Sequence, residues 1–285
     1  MLGSQYIKCY GDVFMIVFLI LHYGDHKVTE DCIRSIKGMG YTCEHEILIV
    51  DNDPEPKPWD EKHVVKTHNV GFSAANNAGY AYARDELHAD MVIACNNDLL
   101  FDGGSFPESV ISSVNESDAY VVSPDIEKVG TGEHQSPIAT SLRTESEVRK
   151  TISLNNIALA LYPLAYPFLK KSLQGKTQVS VEMRGVEPLS VIVPCGACII
   201  FTKKYVEREE KLLEPETKFY YEEYILALRC SRSGYKIAYE PKLHVMHVDG
   251  AATAADTRGD YARIRTKMRN ITDAAKVYLK FLRSV

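Results

Sequence analysis

Carboxylate, amide and imidazole side chains occur where several apolar runs of this sequence end. Residues 91–95 are apolar throughout and are followed at once by two amides and one carboxylate, and residues 47–50 are followed by an acid and an amide. Ligands of open α/β sheets bind at the carboxyl ends of the strands, so polar groups in these positions are placed for chemistry. The candidate residues are Asp51, Asn52, Asn96, Asn97, Asp98, Glu222, Glu223 and His247.

The adjacent acids Glu222 and Glu223 could supply a general base. A carboxylate beside another negative charge can have its pKa raised toward neutrality, where it can take a proton from a hydroxyl group. Two glutamates taken alone more often have a simpler meaning, because solvated acids at the start of a helix interact favourably with its dipole. The residues themselves leave both interpretations open.

Asp98 and one histidine could hold a divalent cation. Mg²⁺ is commonly held by one or two protein carboxylates together with substrate phosphates, so this pair suffices only if a nucleotide diphosphate supplies the remaining oxygens. His244 and His247 lie in one strand-like run, but positions three apart on an extended backbone face opposite sides. We therefore expect at most one of them to be functional, and a lone histidine in a strand is more often structural.

Apolar strands alternate with helical segments over the first 126 residues. We predict strands over residues 13–21, 46–50, 64–65 and 91–95. A helix should open at Thr29, whose hydroxyl can cap it, and a helix rich in small residues should follow residues 69–73. The first two strands and their helix form a βαβ unit, so the strands should be parallel. This alternation indicates a doubly wound α/β sheet.

The second half of the sequence is less regular. We predict a helix and a strand between residues 106 and 126, strands near residues 191–193, 199–201 and 244–247, and a basic helix over residues 261–282. Residues 127–187 lack a clean period. Within them, the apolar segment 157–171 is either a helical hairpin packed on the core or a segment that binds a membrane surface or an acceptor.

The composition excludes several classes of protein. The 285 residues are 45% hydrophobic and 25% charged, and the net charge of −5 lacks the basic excess of a nucleic-acid-binding protein. The seven cysteines are scattered and odd in number, which favours a reducing, cytoplasmic compartment. Cys195 and Cys198 have the spacing of a redox motif, but the apolar residues after them indicate a strand. Residues 13–21 are too few to cross a bilayer, which needs about 20 residues.

The order of these motifs resembles that of the family 2 glycosyltransferases. The closest subgroup is the rhamnosyltransferase-like and galactofuranosyltransferase-like enzymes of bacterial surface polysaccharide synthesis. The resemblance extends from residue 13 to about residue 252 and leaves residues 127–187 unmatched. Each motif is weak alone, but six in the same order are a strong signal. They are Val50-Asp51-Asn52, Asn69-Val70-Gly71-Phe72 with Asn76-Asn77, Asn96-Asn97-Asp98, Gly196, Tyr221-Glu222-Glu223 with Arg229 and Gly234-Tyr235, and His247.

The resemblance implies a GT-A fold, which is a Rossmann-like α/β fold. Its mixed, mostly parallel sheet is flanked by helices and is accompanied by a helical insertion and a C-terminal helix. A single domain would then comprise a nucleotide-binding half (1–126), an insertion (127–187), an acceptor and catalytic half (188–252) and a helical tail (253–285).

It also implies an inverting transfer of a sugar from a nucleoside-diphosphate sugar to a hydroxyl of a glycan or lipid-linked glycan, with Mg²⁺ or Mn²⁺. Glu223 would be the catalytic base and Glu222 its acidic neighbour, while Asp98, as the last acid of a DXD motif, and His247 would hold the metal. The donor would be bound by Asp51, Asn52, Asn69, Gly71, Asn76, Asn96 and Asn97.

Two departures from the family pattern bear on activity. The DXD motif keeps one acid, which weakens the inference of tight metal binding, and the usual Glu-Asp pair is Glu-Glu, so the base carries one extra methylene. Two alternatives are a catalytically degenerate member that binds a sugar nucleotide or a partner, and a sugar nucleotidyltransferase. The second, like a dehydrogenase, would need a glycine-rich loop after the first strand, and residues 22–26 contain one glycine. We expect a cytoplasmic protein, with peripheral contact at the inner face of the membrane as a further hypothesis.

Overall fold

The computed structural model describes residues 14–40, 44–101, 106–164, 166–168, 191–248 and 259–284. In these ranges the strands are β1 (Ile16–His22), β2 (His45–Asp51), β3 (His63–Lys66), β4 (Met91–Asn96), β5 (Leu99–Phe101), β6 (Val121–Lys128), β7 (Glu133–His134), β8 (Cys198–Phe201) and β9 (Ile237–His247). The helices are α1 (His26–Lys37), α2 (Phe72–Asp85), α3 (Phe106–Ser117), α4 (Glu145–Ala160), α5 (Lys203–Val206), α6 (Glu222–Ser233) and α7 (Asp260–Arg283).

The nine strands of the described residues form one mixed sheet in the order β3-β2-β1-β4-β8-β6-β9-β5, with β7 paired to β6. Strands β3, β2, β1 and β4 are parallel to one another, and β6 is parallel to β9. Strand β8 is antiparallel to β4 and β6, β5 is antiparallel to β9, and β7 is antiparallel to β6. The parallel βαβ unit and the mixed sheet that the sequence predicts are therefore confirmed, and parallel and antiparallel pairings are equal in number among the described strands.

Apolar layers cover both faces of the sheet. Every residue of β1 is buried, because successive side chains point to opposite faces and each face is covered. Helix α1 contributes Ile33 and Ile36 to one layer, and α2 contributes to the other. A Cβ atom at Gly79 in α2 would lie 2.3 Å from Val50 Cγ2. The small residues of α2 thus let the helix pack closely on the strands that carry the predicted site.

The predicted start of α1 is wrong. The helix begins at His26, and Asp25 caps it by accepting a hydrogen bond from the Lys27 backbone N–H at 2.9 Å. Thr29 lies one turn inside the helix, fully buried, with its Oγ1 atom 2.7 Å from His22 Nδ1. Asp and Thr can both cap a helix. Asp25 is the cap here because Thr29 lies on the buried side of the helix, where its hydroxyl contacts His22.

The predicted boundary at residue 127 also falls inside an element. Strand β6 continues to Lys128, and β7 returns along it, so the start of the expected insertion belongs to the sheet. Near residues 191–193, Val193 forms only an isolated bridge to Ala139. Helix α4 has a capping box between Thr144 and Glu147. Residue 13 of the predicted first strand and residues 169–187 of the predicted insertion lie outside the described residues.

The basic segment near the C-terminus is helical, as predicted. Helix α7 packs against α4 and α6, and Tyr278 on α7 is fully buried between them with Val148 and Ile225. No helix in the described ranges is both long and apolar enough to span a membrane.

Candidate active site

The sheet brings the predicted polar clusters to one edge. In the parallel register, His22 at the end of β1 lies beside Asp51 at the end of β2, and Leu21 lies beside Asn96 at the end of β4. The neighbouring strand β8 runs in the opposite direction, so its first residue, Cys198, lies at this same edge. The polar residues that end β1, β2 and β4 therefore lie at one edge of the sheet, and residues 195–197 lie at the same edge.

Glu223 reaches this edge from the first turn of α6. Its carboxylate accepts hydrogen bonds from the backbone N–H groups of Glu223 itself and of Gly196. A Cβ atom at Gly196 would lie 2.6 Å from Glu223 Oε1, so a residue with a side chain would collide with the carboxylate. Ala197 in turn accepts a hydrogen bond from the Asn96 backbone N–H at 2.8 Å. Gly196 therefore connects Glu223 to the end of β4.

Burial changes the protonation of the glutamate pair. Glu222 is 6% exposed, and burial, followed by the charge of Glu223, raises its pKa to about 8. Its Oε2 atom is buried and has no hydrogen-bond partner among the described residues, which fits a protonated carboxyl group. Burial also raises the pKa of Glu223 above its ordinary value, although two backbone N–H groups oppose that shift. The sequence left open that the two glutamates are solvated acids at the start of a helix, and their burial does not agree with that interpretation.

A strained turn presents the two glutamates. Tyr220 and Tyr221 have φ angles of 72° and 63°, and such left-handed conformations cost residues other than glycine about 1–3 kcal/mol each. Arg143 holds the turn by donating from Nη1 to Tyr221 Oη at 3.0 Å. Its guanidinium also lies 5.5 Å from the ring centres of Tyr221 and Tyr224. The Arg143 carbonyl accepts a hydrogen bond from Tyr278, so α7 supports the same turn.

Asp98 and His247 lie together, as the sequence predicts. His247 ends β9 opposite Leu99, and its Nε2 atom is 3.2 Å from Asp98 Oδ1. These two atoms are not aligned for a hydrogen bond, and the buried Oδ1 has no other hydrogen-bond partner among the described residues. His247 Nδ1 lies 2.6 Å from Gln135 Oε1 and donates to it, because that oxygen can only accept. Nε2 is therefore the ring nitrogen that faces the Asp98 carboxylate.

His244 points elsewhere, as expected for a position three residues away. Its Nε2 atom lies 3.1 Å from Glu127 Oε2 and 4.0 Å from Asp125 Oδ2. His134 contacts Asp125 from the other side at 2.8 Å, and that hydrogen bond raises the pKa of His134. His244 is thus part of an ion-pair group between β6, β7 and β9.

Asp51 is fully buried at the end of β2. Its Oδ2 atom accepts a hydrogen bond from the indole N–H of Trp59, the single tryptophan of the chain, at 2.9 Å, and Oδ1 accepts one from the Asp53 backbone N–H. The Trp59 ring is stacked on His26 at 3.9 Å. Asn52 Oδ1 accepts hydrogen bonds from Thr67 Oγ1 and the Val70 backbone N–H, which ties β2 to the loop before α2.

That loop holds two of the predicted donor-binding residues. Asn69 is exposed with a φ of 58°, and Gly71 is buried with a φ of 99°. A Cβ atom at Gly71 would meet the Lys218 backbone at 3.3 Å, so only glycine suits both the angle and the space. Asn76 is buried in α2 and donates to the Phe72 carbonyl one turn earlier. Together with Asn96 and Gly196 it lines a small cavity under this edge of the sheet.

Asn97 belongs to a buried network with His22. Its side-chain amide donates to Thr29 Oγ1 at 2.9 Å, and Thr29 contacts His22 Nδ1. His22 Nε2 lies 3.0 Å from Asp53 Oδ2, and burial is the largest cause of the lowered pKa of His22. His22, Asp51 and Asp53 each offer one ligand atom, and these three atoms lie within 4.8 Å of one another. This group is therefore a second candidate cation site.

Sequence reasoning missed His22, Trp59, Gln135 and Arg143. His22 could have been found, because it ends β1 at the same register as Asp51. Nothing local marks the other three. Gln135 lies 112 residues before His247, and Arg143 lies 78 residues before Tyr221, so only the folded chain brings each pair together.

Comparisons with known proteins show similarity to a glycan biosynthesis hexosyltransferase in sequence and to TarS in structure. No protein-family model matches the chain. The chain is 27% identical over 136 residues to the low-salt glycan biosynthesis hexosyltransferase Agl10 of Haloferax volcanii, a match that covers 44% of this chain and 42% of that protein. The matched segment thus spans less than half the length of this curated relative. A hexosyltransferase agrees with the class of enzyme that the motif order indicates, and family 2 membership stays a prediction.

Among solved structures, TarS 1-349 of S. aureus aligns with a TM-score of 0.49 and 11% identity over 90% of this chain and 70% of that chain. A second structure of S. aureus TarS aligns with a TM-score of 0.47 and 11% identity over 90% of this chain and 42% of that one.

Proposed function

We propose that this protein is an inverting glycosyltransferase that moves a sugar from a nucleoside-diphosphate sugar to a hydroxyl group of a glycan or lipid-linked glycan. One observation carries the proposal: the carboxylate of Glu223, with a raised pKa, is held at the same sheet edge as Asp98. The buried Oδ1 atom of Asp98 has no hydrogen-bond partner among the described residues and lies 3.2 Å from His247 Nε2. The similarity to a glycan biosynthesis hexosyltransferase supports this class of reaction.

Glu223 is the base in this proposal. One of its oxygens takes the proton of the acceptor hydroxyl while the acceptor oxygen forms a bond to the anomeric carbon. The bond between that carbon and the donor's phosphate oxygen breaks, and the diphosphate leaves with the electron pair. Because attack and departure occur on opposite faces, the anomeric configuration inverts. Burial keeps the pKa of Glu223 above its ordinary value, which brings the base closer to neutral operating pH.

Glu222 has a different role from that of Glu223. With a pKa of about 8 it is largely protonated at neutral pH, so it adds little negative charge beside Glu223. A second carboxylate charge there would compete with Glu223 for the same proton, and the two acids must be regarded as one titrating pair.

The residues at Asp98 fit a divalent cation. Asp98 Oδ1 and His247 Nε2 lie 3.2 Å apart, and the buried Oδ1 has no hydrogen-bond partner among the described residues. Two adjacent ligands of an octahedral ion with bonds of about 2.1 Å are separated by about 3 Å. Asp98 and His247 would hold Mg²⁺ or Mn²⁺, which supplies Lewis-acid stabilisation of the departing diphosphate. Gln135 orients the His247 ring for this role.

The donor nucleotide lies, in this proposal, across the ends of β1, β2 and β4. Asp51, Asn52 and the loop with Asn69 and Gly71 form the side that receives the nucleoside. Asn76, Asn96 and Asn97 line the side toward the sugar and diphosphate. Both carboxylate oxygens of Asp51 already accept hydrogen bonds, one of them from the Trp59 indole N–H. Trp59 would therefore form this side of the donor site together with Asp51.

The decisive experiment separates transfer from donor binding. Glu223→Gln should lower the transfer rate by about 10²–10⁴-fold, the usual contribution of a general base, and should leave the affinity for the nucleoside diphosphate nearly unchanged. Glu207→Gln is the matched control, because Glu207 is an exposed glutamate on another element. Transfer is measured with a panel of sugar nucleotides, and binding by calorimetry with Mn²⁺ present.

Two results would refute the proposal. A wild-type chain that binds sugar nucleotides and neither transfers nor hydrolyses any donor of the panel would be a degenerate binding protein. Equal losses of binding and transfer in Glu223→Gln would remove Glu223 from the role of base. For the metal, His247→Ala should weaken binding of the nucleoside diphosphate in Mn²⁺ and have no effect in EDTA.

A further inference from the structure

One face of the α4 region exposes large apolar side chains in a regular row. Half of the large hydrophobic side chains that are exposed in the described residues lie between residues 154 and 168. Their exposed fractions run from 53% to 79%, and their spacing of three and four residues places them on one side. They are Leu154, Ile157, Leu161, Leu164 and Phe168. We call this row the apolar ridge.

The opposite side of the same segment packs on α7. Tyr162 is 1% exposed, donates a hydrogen bond to the Tyr261 carbonyl and contacts Ile264 and Met268. Tyr162 thus anchors this segment on α7, and the side chains of the apolar ridge take no part in that contact. No residue from 151 to 168 is charged, so nothing along the ridge itself favours exposure to water.

Basic side chains are concentrated on α7, the helix on which this segment packs. Helix α7 contains seven basic and two acidic residues, although the chain as a whole has a net charge of −5. Arg265 lies 5.8 Å above the Tyr162 ring, and Arg269 follows one turn later on the same side of α7. Both are exposed, and neither has an acidic partner within ion-pair distance among the residues that the structure describes. An uncharged apolar row on a segment that packs against a basic helix is the pattern of a surface that binds anionic lipid.

We propose that the apolar ridge and Arg265 and Arg269 dock this protein on an anionic lipid surface. A protein helix is the other occupant that such a row could suit, because spacings of three and four also define a coiled-coil seam. Pro163 and Pro167 argue against that occupant. Each removes a backbone donor, α4 ends at Ala160, and a coiled-coil seam needs a continuous helix. A fluid lipid surface needs neither register nor continuity.

Vesicle sedimentation of the full chain tests the docking surface. The chain should sediment with vesicles that contain phosphatidylglycerol at low ionic strength and should not sediment with pure phosphatidylcholine. Arg265→Gln/Arg269→Gln should weaken binding by about 30-fold, because each basic side chain at an anionic surface is worth about fivefold. Leu164→Ser/Phe168→Ser should weaken it by at least about tenfold through the loss of inserted apolar area.

Two controls match these variants. Lys37→Gln/Lys62→Gln removes two exposed positive charges at the far edge of the sheet, and Val129→Ser removes an exposed apolar side chain of another element. Both controls should bind as the wild type does, and circular dichroism verifies that every variant is folded.

Three outcomes would overturn the proposal. The first is no sedimentation with anionic vesicles at low salt, and the second is unchanged binding in both double variants. The third is a concentration-dependent dimer in analytical ultracentrifugation that Leu164→Ser/Phe168→Ser abolishes, since a second copy would then cover the ridge. None of these measurements uses catalytic activity, so the proposal stands or falls separately from the proposed reaction.

Discussion

Replacing Gly196 by alanine tests whether the fold places Glu223 for catalysis. The new Cβ atom would lie 2.6 Å from Glu223 Oε1, whereas ordinary van der Waals contact begins near 3.4 Å, so the carboxylate must retreat by about 0.8 Å. A misplacement of about 1 Å can cost about 10²-fold in rate. Because the φ of Gly196 is not in the left-handed region, alanine adds no backbone strain. We therefore expect kcat to fall by about 10²-fold with little loss of stability.

The same substitution should shift the pH dependence. The Gly196 backbone N–H donates to the Glu223 carboxylate and lowers its pKa against the larger effect of burial. A displaced carboxylate loses part of this hydrogen bond, so the pKa of Glu223 rises further. The acidic limb of the profile of kcat/KM against pH should consequently move to higher pH, which a loss of folding would not produce.

A second substitution should restore part of the activity. Asp is one methylene shorter than Glu, so Glu223→Asp in the Gly196→Ala background frees the space that the new methyl group occupies. The double variant should transfer faster than Gly196→Ala alone, although Glu223→Asp slows the wild type. Gly40→Ala is the control for glycine replacement, because a Cβ atom at Gly40 would meet nothing within 4 Å.

Transfer rates with saturating donor and acceptor, together with thermal unfolding, decide the matter. If Gly196→Ala retains wild-type kcat and an unshifted pH profile, then the contact between Gly196 and Glu223 does not position the base, and the reasoning is wrong. Absence of rescue by Glu223→Asp would likewise show that the methyl group acts by another route.

Three further predictions concern the surroundings of the base and the donor. The folded-state pKa of Glu222, about 8, exceeds its ordinary value of 4.5, so its contribution to stability is fully present below pH 4.5 and is lost as the pH rises through 8. Glu222→Gln should therefore raise the melting temperature relative to the wild type at pH 8.5 and change it little at pH 5, as thermal scans across pH will show. Arg143→Ala, which frees Tyr221, should lower kcat about tenfold with an unchanged donor KM, whereas Arg143→Lys should retain more activity, as steady-state kinetics will show. Trp59, bonded to Asp51, should change its fluorescence on titration with a nucleoside diphosphate and should not do so in Asp51→Ala.

The strands at the site edge were predictable because burial on both faces of the sheet gives each of them a continuous apolar run in the sequence. Residues 91–95 form such a run, and the parallel register follows from the βαβ connection. The polar residue that ends each run then has to lie at the carboxyl edge, which is why the placement of Asp51 and Asp98 could be predicted. Predicting that these residues lie at the same edge of the sheet required no knowledge of side-chain contacts.

The partners of these residues were not predictable in the same way. Gln135 forms a hydrogen bond with His247 from a hairpin that the sequence assigned to an insertion, and Trp59 donates a hydrogen bond to Asp51 from an irregular loop. The position of such side chains depends on tertiary packing rather than on local propensity or period. The prediction of where α1 starts was wrong for a related reason. Thr29 and Asp25 are both good helix caps, and only the buried contact of Thr29 with His22 shows that Asp25 is the cap.

The unfavourable features of the fold coincide at one place. The left-handed turn at Tyr220 and Tyr221, the buried acid of Glu222 and the buried Oδ1 atom of Asp98, which has no hydrogen-bond partner among the described residues, each cost free energy without helping the core. A protein that needed only to fold could remove them, for example with Gly in the turn or an amide in place of one acid. A buried acid with a raised pKa and a buried carboxylate that faces an imidazole are instead held at the edge where the parallel strands end. That coincidence, more than any single motif, favours a site for proton transfer beside a bound anion.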